Sequence, residues 1–239
     1  MELLRIFGAR VRASLILDLV TWQFADRFRI EGYYDDRLPV GSPGPGGFPV
    51  LGTVEQGLAE MPGLDRSAFV ALGTRAAARA WSVFLQLDAV SVCLPSLIAP
   101  SAYLSPSARV GKNCMVVPGV FIGCDVRIGN LAVAHGGAVV EHHSSVGNNV
   151  LLGPGVSIAS GVRIAHHVFL GAGCSVVPER AIGTGTLVGA GSVVTRDLPA
   201  HVVAYGQPAA AVRPTRGGDE VLLEVELRSL EARVPPMAR

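Results

Sequence analysis

From Val110 onward the chain carries an apolar residue at every sixth position: Val116, Ile122, Ile128, Ala134, Val140, Val146, Leu152, Ile158, Ile164, Leu170, Val176, Ile182, Val188 and Val194. All but Ala134 are Val, Ile or Leu. A period of six is neither the 3.6 of a helix nor the simple alternation of a long strand. Branched side chains at this spacing fit short flat strands that turn at regular corners. Three hexads then close one triangular coil, and the aliphatic positions stack into a continuous core. The pattern predicts a left-handed parallel β-helix. Residues 105–194 supply five such coils, and Ile98 and Leu104 extend the pattern backwards, so the solenoid is expected to start near residue 98. Glycine follows the aliphatic residue in most hexads (Gly111, Gly123, Gly129, Gly147, Gly153, Gly171, Gly183, Gly189), an arrangement that assigns it to the turn.

The chain before residue 98 is patterned differently. "LLRIFG" reads as a strand, residues 10–24 as a helix, "FRIEGYYDD" as a strand and "VEQGLAEM" as a short helix. "AFVALG" follows as a third strand, "TRAAARAWSVFLQL" as a helix and "AVSVCL" as a fourth strand. Alternating strands and helices predict a small Rossmann-like α/β domain with a parallel sheet. Residues 40–50, dense in Pro and Gly, are expected to form a surface loop. After the solenoid, "HVVAYGQPAAAVRP" reads as a cap and "DEVLLEVELRSLEAR" as a terminal helix. The expected order is an α/β domain over 1–97, a β-helix over 98–214 and a helical tail over 215–239.

Composition narrows the partners. With Lys+Arg 20 against Asp+Glu 19, the net charge is +1, and the chain lacks the basic excess that holds a phosphate backbone. Nucleic acid is therefore not expected as a partner. Apolar stretches are interrupted well before the roughly 20 residues of a membrane span, and "MELLRIFGAR" lacks a secretory pattern. A cytoplasmic protein without a membrane partner is expected. Cys93, Cys114, Cys124 and Cys174 are too scattered for a disulfide framework and read as free thiols, Cys114 and Cys174 on inward slots.

Chemistry concentrates at "VVEHHSSVG", residues 139–147. Val140 is an inward position, so Glu141 and His142 leave the coil at a corner and face outward. Subtracting and adding one coil puts Cys124 beneath His142 and Ser160 above it. The hexad run ending "GAGSVVTRDLPAHVVAYGQPAAAVR" resembles the hexapeptide-repeat acyltransferases. Joined to the N-terminal "GYYDD" and "VALG" and to "VVEHHSSVG", it is similar to the subgroup that N-acetylates nucleotide-linked amino sugars and to the related sialic acid O-acetyltransferases. That resemblance implies a homotrimer, acetyl-CoA in the groove between neighbouring solenoids, and a nucleotide sugar held by an adjacent subunit's N-terminal domain. It also implies that His142 is the general base for direct attack of the acceptor on the thioester, a role that typically contributes about 10²- to 10⁴-fold.

The oxyanion of that attack needs preorganised donors. The backbone N–H groups of Gly153 or Ser160 are candidates, with Gly171, Ala172 and Gly189 along the cofactor path. Departures from the family pattern are equally specific. An acidic residue is usual directly after the base, where this chain has His143, so Glu141 is expected to supply the missing carboxylate as the second catalytic residue, its side chain bending toward the same groove. The family's second histidine corresponds to Leu151. The resemblance implies that the small residues of the N-terminal glycine turn, Gly8 among them, bind the substrate by letting backbone amides close on its phosphate. Here "GARVRA" keeps Gly8, Ala9 and Ala13, while Arg10, Val11 and Arg12 replace two glycines and a histidine. Arg10 and Arg12 either hold the pyrophosphate by charge or are solvated at a helix start. Asp35, Asp36 and Gly73 of "LGTR" match positions lining the same substrate pocket. His135, His166 and His167 read as outward residues, and their spacing with His142 does not reproduce a three-histidine zinc site, so no metal is expected. The competing class is a trimeric scaffold or sugar-binding protein with weakened chemistry.

Overall fold

A computed structural model of the chain describes residues 1–73, 76–216 and 219. The expected terminal helix lies almost wholly outside the described residues. The N-terminal part builds a four-stranded, fully parallel sheet from β1 (Glu2–Phe7), β2 (Phe28–Tyr34), β3 (Val50–Gly52) and β4 (Ser67–Val70), in the order β3-β2-β1-β4. Both faces are covered at the C-terminal ends of the central strands, where Ile6 and Phe7 of β1 and Tyr33 and Tyr34 of β2 are buried on alternate sides. Leu4, Ile6, Ile30 and Phe69 pack against α1 (Val11–Gln23), through its Ala13, Ile16, Leu19 and Val20. Phe7, Ala68 and Val70 face the other way, toward Val54 of α2 (Val54–Glu60) and Ala80, Val83, Phe84 and Leu87 of α3 (Ala77–Ala89). Thr53 starts α2 with a capping box, its side chain accepting from the Gln56 N–H while Gln56 reaches back.

Two local expectations fail. "AVSVCL" is not a strand. The chain leaves α3 through Ser91 in a left-handed turn (φ 58°), and Cys93 makes only a single bridge to Ser67. The Pro/Gly loop is exposed over most of its length, but its last residue, Val50, is buried and opens β3, the sheet's edge strand.

The solenoid follows the sixfold pattern throughout. Short strands recur in every hexad from Leu97–Ile98 to Val193–Val194, and each pairs with the strand three hexads away, as Val140 does with Ile158 and Ile158 with Val176. Three parallel walls result. One wall points Met115, Val133, Leu151, Phe169 and Leu187 outward, and the N-terminal domain packs on the first three of this apolar column. A second shows Tyr103 stacked on Phe121 (ring centroids 4.9 Å apart) and then Val139. The third presents Arg109, Arg127 and Arg163 to solvent. A hairpin, Val202–Gly206 with Ala209–Pro214, extends the first wall, as the expected cap.

Corner geometry corrects the reason given for glycine. The left-handed residue is the third after the aliphatic position, occupied by Asp125, His143 and Asn149 as well as by Gly137 and Gly155. Glycine directly after the aliphatic residue answers to space where the next coil approaches closely, whereas His135, Glu141 and Ala159 fill the same slot elsewhere. A Cβ on Gly153 would lie 2.8 Å from the Ala172 nitrogen and 2.9 Å from the Leu170 oxygen of the next coil.

Candidate active site

His142 sits at the corner between the Tyr103/Phe121 wall and the arginine wall, with Cys124 below and Ser160 above, as the step of one coil requires. It is exposed, like His143. Its Nδ1 lies 2.9 Å from the Nδ1 of His143, with the two rings edge-on at 89°. His143 Nε2 in turn is 3.6 Å from the Asp125 carboxylate, one coil below. Glu141 forms no side-chain hydrogen bond or ion pair among the described residues. The carboxylate nearest the imidazole pair is thus Asp125. The arithmetic that places Cys124 under His142 also places Asp125 under His143, so this residue was within reach of the sequence. Cys124, Asp125 and His143 offer ligand atoms within 4.8 Å of one another, all on exposed residues.

Backbone donors sort by position in the corner. The N–H groups of Gly153, Gly171 and Gly189 donate to Leu170, Val188 and Ala204 in the following turn of chain, so none of the three is a free oxyanion donor. Ser160 and Ala172 each stand two residues after an aliphatic position, and among the described residues no acceptor takes their N–H. Ser160 shares a corner with His142. Gly153, Gly171, Ala172 and Gly189 share the adjacent corner, across the Tyr103/Phe121 wall.

A second polar site opens at the start of α1. Arg10, Arg12, Arg37 and Arg79 surround a cleft of about 150 Å³ together with Asp35, Asp36, Leu72 and Gly73. Asp35 is buried and already engaged: its carboxylate accepts from the N–H groups of Ala9 and Arg37, fixing the β1–α1 turn. Asp36 accepts from the Val54 N–H and pairs with Arg79 at 2.5 Å. Gly8 does not line the cleft but enables the turn. Its φ is 106°, and a Cβ there would lie 3.1 Å from the Ala71 carbonyl carbon. Arg10 is exposed. Arg12 is half-buried, donates to the Leu72 carbonyl at 2.8 Å and has no carboxylate partner among the described residues. Burial pushes its guanidinium down to about 10. The cleft therefore carries uncompensated positive charge at the positive end of a helix.

His135, read from sequence as an outward residue, is half-buried near Arg12. Burial first, and then the Arg12 charge, lower its pKa from the ordinary histidine value. The sign of the consequence is fixed. The unfolded chain takes up a proton as pH falls through about 6.5, while the folded chain resists, so the contribution of His135 to stability is present above that pH and lost as pH drops through the folded value. His135→Asn is expected to flatten the fall of melting temperature below about pH 6.5. His167, also lowered by burial and by His166 and His201, leaves a residual slope. Melting curves across pH for both proteins check this.

Residues 143–177 match the family model described as "Bacterial transferase hexapeptide (six repeats)". No curated protein sequence matches significantly. Among solved structures, PerB from Caulobacter crescentus, in complex with CoA and GDP-perosamine, is 33% identical with a TM-score of 0.79, over 88% of this chain and 97% of that one. The chain belongs to the left-handed β-helix sugar N-acetyltransferases. The PglB acetyltransferase domain from Neisseria gonorrhoeae is 25% identical (TM-score 0.80, covering 89% of this chain and 100% of that one). WeeI from Acinetobacter baumannii, 22% identical with a TM-score of 0.70, over 89% and 100% of the two chains, shares the fold. A sugar N-acetyltransferase is an acyltransferase with acetyl-CoA as cosubstrate. Among the described residues no helix is long and apolar enough to cross a membrane.

Proposed function

We propose that this sugar N-acetyltransferase acylates the amine of a nucleotide-linked amino sugar by direct attack on acetyl-CoA, with His142 as base. One observation carries the reading: an exposed imidazole stands one coil below the Ser160 N–H, which no described acceptor takes, on the same corner. The amine nitrogen attacks the thioester carbonyl, its proton passes to His142, and the Ser160 N–H stabilises the oxyanion as it develops. The proton then leaves with the CoA thiol. PerB, crystallised with CoA and GDP-perosamine, provides the precedent for both ligands.

The arginine cleft is the site for the diphosphate of the acceptor. Asp35 and Asp36 act there as supports, since their oxygens already hold backbone N–H groups and Arg79. Arg12 and Arg10 remain to meet phosphate at the α1 N-terminus. Loss of a charged hydrogen bond costs about 1.5–3 kcal/mol, so Arg12→Gln is expected to raise the KM for the nucleotide sugar roughly 10- to 100-fold with the KM for acetyl-CoA unchanged. Steady-state kinetics with each substrate varied in turn checks it.

Gly171, Ala172 and Gly189 lie on the corner adjacent to His142, so both corners serve one reaction only if a second copy brings its Ala172 corner against this chain's His142. Repeated around a threefold axis, that contact closes a homotrimer and covers Tyr103 and Phe121, apolar side chains left partly exposed in the single chain. The overall reading is tested by thiol release from acetyl-CoA across UDP-, GDP- and dTDP-linked amino sugars. Release with at least one acceptor supports it. No release with any, together with no binding of CoA, favours the scaffold alternative.

A further inference from the structure

The residue after the base in this chain is itself a histidine, and its geometry constrains where both rings hold their protons. His142 and His143 face each other through Nδ1 at 2.9 Å, so only one of the two nitrogens carries the hydrogen. Asp125 approaches the other nitrogen of His143, Nε2, at 3.6 Å. That distance lies in the ion-pair range, and contacts of this kind commonly tighten once substrate is bound. A carboxylate is acceptor-only, so it favours an N–H at Nε2 of His143. Neutral His143 then has a bare Nδ1, which accepts, and His142 must be the donor. Backbone geometry supports the stacking. Asp125 and His143 occupy the same left-handed corner slot in successive coils (φ 55° and 60°), and the His143 N–H donates to the Cys124 carbonyl at 2.9 Å.

We propose that Asp125 and His143 are positioning residues that hold His142 in the tautomer protonated on Nδ1, leaving its Nε2 bare to take the proton of the acceptor amine. The carboxylate that this chain lacks directly after the base is thereby supplied from one coil below, through a second imidazole. When His142 Nε2 takes the proton, the cation that forms keeps its Nδ1–H on His143, whose Nε2–H points to Asp125. The proton on Nε2 later goes to the departing CoA sulfur, and the relay returns to its starting state with no net change. The catalytic meaning of the relay rests on the function proposed above; its tautomer assignment does not. The opposite arrangement, in which doubly protonated His143 donates to His142 Nδ1, would put the remaining hydrogen of His142 on Nε2 and disable it as a base.

Long-range ¹H–¹⁵N correlation spectra of the full-length, ligand-free protein distinguish these arrangements. The expected result is Nδ1–H on His142 and Nε2–H on His143. The variant for comparison is Asp125→Gly, because glycine accepts the left-handed backbone at that position. It is expected to shift His142 toward Nε2–H and to lower kcat at least about tenfold, with both KM values and the melting temperature close to wild type. Adding His143→Asp to Asp125→Gly puts a carboxylate directly beside His142 Nδ1 and should restore kcat, a rescue that a purely structural role for Asp125 would not produce. The relay is overturned if wild-type His142 carries its hydrogen on Nε2, or if Asp125→Gly leaves tautomer and kcat unchanged. Absence of acetyl transfer by the wild type would instead count against the proposed function, with the spectrum still deciding the relay.

Discussion

His142→Ala is expected to lower kcat by about 10²- to 10⁴-fold, the usual contribution of a positioned general base. The side chain is exposed on a corner whose backbone is held by bonds from the Glu141 N–H to Ile158 and from the His143 N–H to Cys124. None of those bonds involves the imidazole, so the solenoid should keep its melting temperature and oligomeric state. The KM for the nucleotide sugar should change little, because the arginine cleft at α1 is a separate surface. Single-turnover rates with saturating acetyl-CoA measure the effect on chemistry alone. A rate within threefold of wild type would remove His142 from the mechanism.

The second large effect concerns the core. Ile158 is fully buried, between Val140 below and Val176 above. Ile158→Ala removes three carbons from a column that cannot collapse inward, because each wall is pinned by hydrogen bonds to the coils on both sides. A loss of about 2–5 kcal/mol in unfolding free energy is expected. Arg163→Ala, farther along the chain and on the exposed wall, should stay within about 0.5 kcal/mol. Denaturant unfolding of the two variants side by side gives the comparison, and equal losses would mean that the stacked interior is not what stabilises the solenoid.

The solenoid was legible because one physical requirement repeats: an aliphatic side chain must enter the core once per wall, and the spacing of Val, Ile and Leu records it. The N-terminal domain was less so. The short strand β3 follows directly on a loop of prolines and glycines, so local composition hides a strand that exists because Val50 fills the sheet's edge. "AVSVCL" has the branched residues of a strand but serves as the exit from α3 and the step onto the first coil. The main pairing that fixes it, Ser67 with Cys93, joins segments separated by the whole of α3, beyond the reach of any local pattern.

At the active site, His142 was readable as an outward residue beside a buried one. The Asp125 contact required applying the coil arithmetic to His143 as well as to His142. The availability of the backbone donors was not readable from residue type. Gly153 and Ser160 look alike as small corner residues, yet the first commits its N–H to Leu170 and the second does not. That difference follows the slot, one residue after the aliphatic position for Gly153 and two for Ser160, rather than the residue type. The opposite problem affected Asp35, where a carboxylate in the substrate cleft is taken up by the turn it supports.

The triangular cross-section also limits how such a chain can change length. A full revolution gained or lost returns every later side chain to its own edge, and only the height of the prism alters. A single extra hexad instead turns everything downstream by a third of a revolution. Inserted between His142 and Ser160, it would carry the Ser160 amide to a different edge and dissolve the pairing of acid–base group and oxyanion donor, while leaving a perfectly stackable solenoid. Duplications tolerated by function in that stretch should therefore come in whole coils, whereas past the last active-site edge, toward the C-terminal cap, only the fit of that cap restricts them.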